Sequence, residues 1–93
     1  MIYDRYPVSP GHLLIISQDS SKIDFFNLSN EEKKELLDLI EIGKALISNK
    51  YQPDGYNIGM NCGAAAGQTV FHCHVHLIPR RKDDVENPRE IGR

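Results

Sequence analysis

The run Thr69-Val70-Phe71-His72-Cys73-His74-Val75-His76-Leu77-Ile78 constrains the fold more than any other stretch of this 93-residue chain. Side chains in an extended strand alternate faces with a period of two. Read that way, His72, His74 and His76 point to one side, and Phe71, Cys73, Val75 and Leu77 to the other. Such a strand needs two different environments. Its apolar side must be buried against another layer. Its imidazole side must face a cleft or a ligand, because three imidazoles buried without use would each demand hydrogen-bond partners. The pattern therefore predicts a sheet with one face packed and the other holding chemistry. We read this strand as spanning Thr69 to Ile78, closed by Pro79.

A helix is available to cover the apolar face. Ser29 stands three residues before Glu32, the spacing of a capping box. Leu36, Leu39, Ile40, Ile42, Leu46 and Ile47 then recur at helical intervals through Asn49. Gly43 inside this pattern costs about 1 kcal/mol against alanine, and points to close packing on a sheet. Two more strands follow from the same logic: His12 to Ile16, and the alternating Tyr56, Ile58 and Met60 after the turn Pro53-Asp54-Gly55. Pro7, Pro10 and Gly11 make the opening a loop, Ser17 to Asp24 is polar loop, and the charged tail from Arg80 reads as an extended surface segment. The order strand, helix, strand, strand predicts an α+β fold, an antiparallel β-sheet with one long α-helix packed on it, as a single domain over residues 1–93.

Composition narrows the function classes. At 40% hydrophobic and 26% charged the chain is too apolar for disorder. Its longest aliphatic run, Leu13 to Ile16, falls far short of the ~20 residues that span a bilayer. A net charge of −2 gives no electrostatic basis for binding nucleic acid. Cys62 and Cys73 have the spacing of neither a zinc pair nor a redox pair. The first residues lack the layout of a secretory signal, so a cytoplasmic protein with reduced thiols is expected. On that expectation Asn27-Leu28-Ser29 is a loop entering a helix and not a glycosylation site.

Two chemistries suit the row of imidazoles. Histidine is the commonest metal ligand, but no carboxylate or thiol is suitably spaced beside the row. The other is phosphoryl chemistry, in which a neutral imidazole nitrogen attacks phosphorus and neighbouring imidazoles stabilise charge and donate to the leaving group. Gly67-Gln68-Thr69, after Ala64-Ala65-Ala66, offers unhindered amides and a hydroxyl as an anion seat ahead of the row. Asn61 adds an amide donor. These neighbours favour phosphate.

The stretch Gln68 to Ile78 carries the His-φ-His-φ-His-φφ pattern and resembles the histidine triad (HIT) family. Asp4 to His12, Gly55 to Gly59 and Asp84 to Arg89 are also similar to members of that family, so the likeness covers nearly the whole chain. It implies a homodimeric α+β protein that binds a nucleotide, with a purine expected, and that hydrolyses or transfers a nucleotidyl group at the α-phosphate. Dinucleoside polyphosphates and nucleoside phosphoramidates are the implied substrates. By the resemblance, His74 is the nucleophile, His76 contacts the phosphate and assists the leaving group, and His72 orients His74 through its carbonyl. His12 falls on an additional active-site histidine and Asp4 on the ribose-hydroxyl position. Asn61, Gly67, Gln68 and Thr69 fall on phosphate-binding positions, and Ile2 and Leu14 on base contacts. The family usually has a segment ahead of the position of Met1, so the chain reads as N-terminally short. The early cysteine pairs of zinc-binding relatives are absent, and neither a metal nor a cofactor is expected. A nucleotide-binding or interaction module with little catalysis is the alternative reading.

Overall fold

The computed structural model describes residues 1–4, 7 and 9–82. The expected reading of the tail beyond Lys82 lies outside the described residues. Four strands and one long helix follow in chain order: β1 (Ile2–Tyr3), β2 (Leu13–Ile16), α1 (Asn30–Tyr51), β3 (Gly55–Gly59) and β4 (His74–Arg80). The strands form one antiparallel sheet in the order β1-β2-β4-β3. The α+β architecture with one long helix on an antiparallel sheet is as the sequence predicts.

Helix α1 starts where the capping box places it. The Ser29 hydroxyl accepts from the Glu32 amide at 3.1 Å, and the Ser29 amide donates back to the Glu32 carboxylate at 2.8 Å. Gln52 ends the helix in the left-handed region, with φ of 48°, just ahead of Pro53. One helix face packs on Ile15, Val75 and Cys73 through Leu36, with Leu39 and Ile40 alongside. A second cluster joins Ile47 to Leu13 and Leu77. Between them lies Gly43, where an added Cβ would stand 3.0 Å from the Leu77 side chain. Its glycine is a requirement of helix–sheet contact.

Beyond shifts of one or two residues at the ends of β2, α1 and β3, two features differ from the sequence reading. Strand β4 begins at His74, five residues after Thr69, and runs through Pro79 to Arg80. Its ladder partners explain the late start: β2 ends at Ile16, paired with His74, and β3 ends at Gly59, paired with His76. Beyond them, among the described residues, no strand remains to pair with. The chain turns toward the 17–24 loop instead, where the Cys73 amide donates to the Lys22 carbonyl at 2.8 Å. Pro79 is tolerated inside β4 because the β2 pairing stops at Leu13 opposite Leu77, which leaves that end of β4 an edge on the β2 side. The second difference is β1, two residues long, which pattern alone cannot separate from loop.

Candidate active site

The register of β2 on β4 builds the site. Leu14 lies opposite His76 and Ile16 opposite His74, so these four side chains share the face that α1 does not cover. Ile2 extends that face by pairing with Leu14. One residue before β2, His12 is almost wholly buried, at 1% exposure. The Asp4 amide donates to the His12 carbonyl at 2.8 Å and continues the β1–β2 ladder past its formal end. A cleft of about 340 Å³ opens over this face. Asp4, Thr69, His72, His74 and His76 give its polar lining, and Leu14, Ile16 and Val70 its apolar wall.

Hydrogen bonds assign the ring protons. The His74 Nδ1 stands 2.9 Å from the carbonyl oxygen of His72. A carbonyl only accepts, so Nδ1 carries the proton and Nε2 keeps its lone pair. By the same argument the His72 Nε2, 2.6 Å from the Ser17 carbonyl, is a donor. The third relation joins two histidines: His12 Nε2 lies 2.8 Å from His76 Nδ1. The Asp4 carboxylate is 3.4 Å from the same His12 nitrogen. A carboxylate is an acceptor, which favours the proton on His12 Nε2, shared between Asp4 and His76 Nδ1. His76 then carries its own proton on Nε2. The site therefore offers one imidazole nitrogen with a lone pair, on His74, and one with a proton, on His76. Their ring centroids are 5.1 Å apart.

The loop before the triad is organised differently from an open anion seat. The amides of Ala66, Gly67 and Gln68 donate to the carbonyls of Gly63 and Ala64. Gln68 is buried at 3% exposure. Its Oε1 accepts from the Gly63 amide at 2.7 Å, and its Nε2 donates to the carbonyls of Ile23 and Val70. Asn61 Nδ2 donates to the Gly67 carbonyl at 3.4 Å. Gln68 and Asn61 thus hold the loop in shape, and of the phosphate-position residues Thr69 alone lines the cleft. Sequence reasoning missed Ile16 and Val70. Ile16 was within reach, because it lies two residues after Leu14 on one strand and so on the same face.

A family model described as HIT domain matches residues 1–83. The chain belongs to the HIT family. AP-4-A phosphorylase of Mycobacterium tuberculosis is 33% identical over 93 residues, covering 98% of this chain and 47% of that protein. Bis(5'-adenosyl)-triphosphatase of Saccharomyces cerevisiae is 32% identical over 82% of this chain and 37% of its own length. The crystal structure of Plasmodium falciparum diadenosine triphosphate hydrolase is 30% identical, with a TM-score of 0.81, over 90% of this chain and 56% of that one. This HIT chain spans less than half the length of the two curated relatives.

Proposed function

We propose that this chain cleaves dinucleoside polyphosphates or nucleoside phosphoramidates at the α-phosphate through a nucleotidyl-histidine intermediate. One observation carries the reading: the bond from His74 Nδ1 to the His72 carbonyl leaves the His74 Nε2 lone pair as the nucleophile. That nitrogen attacks the α-phosphorus and forms a P–N bond, while the bond from phosphorus to the leaving group breaks. His76, protonated on Nε2, gives its proton to the departing oxygen or nitrogen. Water then gives a proton to His76 Nε2 as it attacks the same phosphorus, the P–N bond breaks, and the nucleotide leaves with His74 and His76 restored. His76 is held in its tautomer by His12.

The remaining assignments follow the cleft. Leu14 and Ile2, with Ile16 and Val70, form an apolar surface suited to a purine base. Asp4 at the rim accepts a ribose hydroxyl, and Thr69 donates to phosphate. Gly67, Gln68 and Asn61 act on phosphate by shaping the loop that presents Thr69. The names of the relatives support substrates of the diadenosine polyphosphate class.

A homodimer belongs to the same reading. Ile42 and Leu46, four residues apart on α1, are 51% and 55% exposed, and Ile58 on the edge strand β3 is 50% exposed. Apolar groups beside a sheet edge favour association. Sedimentation at twice 10.6 kDa is expected, and a species of 10.6 kDa alone would contradict it. Two free cysteines fit a cytoplasmic setting. Among the described residues no helix is long and apolar enough to cross a membrane.

The test is a turnover screen over diadenosine polyphosphates and adenosine phosphoramidate, with His74→Ala as the control. Release of a nucleoside monophosphate by the wild type and its loss in the variant are expected. Calorimetric binding of AMP without turnover would overturn the reading in favour of a nucleotide-binding module.

A further inference from the structure

Behind the triad, Asp4 Oδ2, His12 Nε2 and His76 Nδ1 converge from three separate segments, and all lie within 4.8 Å of one another. We infer that these three residues form a site for a divalent transition metal of the zinc type. Their separations are 2.8 Å between the two ring nitrogens, 3.4 Å from the carboxylate to His12, and 4.0 Å from the carboxylate to His76. A tetrahedral zinc with bonds of about 2.0–2.1 Å sets its ligand atoms about 3.3 Å apart. The three separations straddle that value, and side-chain shifts of roughly half an ångström equalise them.

The donor set has the right chemistry. Two imidazoles and one carboxylate are a known catalytic type of zinc ligation, three protein ligands with the fourth position open. Asp4 and His76 both line the cleft, so that open position faces it. The scaffold is also in place before any metal arrives. The bond from the Asp4 amide to the His12 carbonyl fixes one pair, and the β2–β4 ladder fixes the other. A metal exchanges the present hydrogen bond between His12 and His76 for two bonds to itself. The proton on His12 Nε2 passes to Nδ1, and His76 keeps its proton on Nε2. His74 takes no part in the cluster.

The inference stands apart from the proposed reaction, because its test reads metal binding and not turnover. Zinc alone is titrated calorimetrically into the full chain in a non-chelating buffer, and cobalt is added in parallel for its visible spectrum. One zinc per chain is expected, with a tetrahedral cobalt spectrum free of a sulfur charge-transfer band. Asp4→Asn and His12→Gln are each expected to weaken binding at least tenfold, and His74→Ala to leave it within twofold. Asp4 is partly exposed, so Asp4→Asn keeps the test valid if the buried His12 variant fails to fold. Absence of saturable binding would overturn the site. So would binding that survives Asp4→Asn, or a sulfur band assigning the metal to Cys62 or Cys73.

Discussion

His12 Nε2 and His76 Nδ1 lie 2.8 Å apart across 64 residues of sequence, and this contact links the loop ahead of β2 to the centre of β4. In the proposed reaction this makes His12 a positioning residue. Its ring reaches the cleft through His76 and Asp4, and its bond to His76 selects which His76 nitrogen is protonated. His12→Gln is expected to lower kcat roughly 10–100-fold, with KM little changed. The limb of the pH–rate profile governed by the leaving-group proton should move. An unchanged profile in a folded variant would contradict the assigned tautomer.

The loop that delivers His12 depends on one glycine. Gly11 has φ of +91°, a conformation that side chains rarely adopt. An added Cβ would also stand 2.8 Å from the Tyr51 ring. Arg81, lying over the same Tyr51 ring, donates to the Ser9 hydroxyl at 2.9 Å and the Pro10 carbonyl at 3.0 Å. Gly11→Ala is expected to cost about 1–3 kcal/mol, measurable by urea unfolding, and to reduce turnover through His12. A variant as stable as the wild type would mean that the loop is not held in this way.

The capping box gives a pH-dependent prediction. The Ser29 amide bond holds the Glu32 carboxyl below its ordinary value of 4.5. The folded form is then favoured over the unfolded form at any pH above that ordinary value. The advantage is lost as pH falls through the lowered folded value. The stability difference between wild type and Glu32→Gln should therefore be greatest near neutrality and fade in acid. Independently, Ser29→Ala removes the cap and should cost about 1 kcal/mol. Urea titrations at several pH values check both.

Thiol reactivity separates the two cysteines. Cys73 is 4% exposed, packed against Ile15 and Val75, and burial pushes its thiol up from the ordinary value. Cys62 is half-buried. Alkylation of the native protein followed by peptide mapping should label Cys62 first, with Cys73 reacting only on unfolding. Equal labelling rates would contradict the burial of Cys73 against Ile15, Val75 and Leu36.

Much of this architecture was legible because it is local. The helix from its Ser29 cap, Gly43 as a contact point and the strand faces all rest on periodicities of a few residues. What stayed hidden depends on partners distant in sequence. The late start of β4 is set by where β2 and β3 end, and no local signal at Thr69 to Cys73 reports that. The site divides along the same line. His72, His74 and His76 were readable from alternation, although His72 reaches the cleft from a bend before the strand. The Asp4–His12–His76 cluster was not, since spacing along one strand cannot reveal side chains that converge from other segments. The small residues ahead of the triad suggested open amides, but 3₁₀ bonding from Ala64 to Gly67 uses them internally.

In the proposed reaction His74 Nε2 becomes covalently bound to phosphorus. Mixing the protein with a dinucleoside polyphosphate labelled at the α-phosphate, and quenching within a single turnover, measures this directly. The expected result is label on the protein that is released by acid, maps to the peptide holding His74, and is absent from His74→Ala. Turnover by the wild type with no protein-bound label at any quench time, or label that persists in His74→Ala, would contradict it.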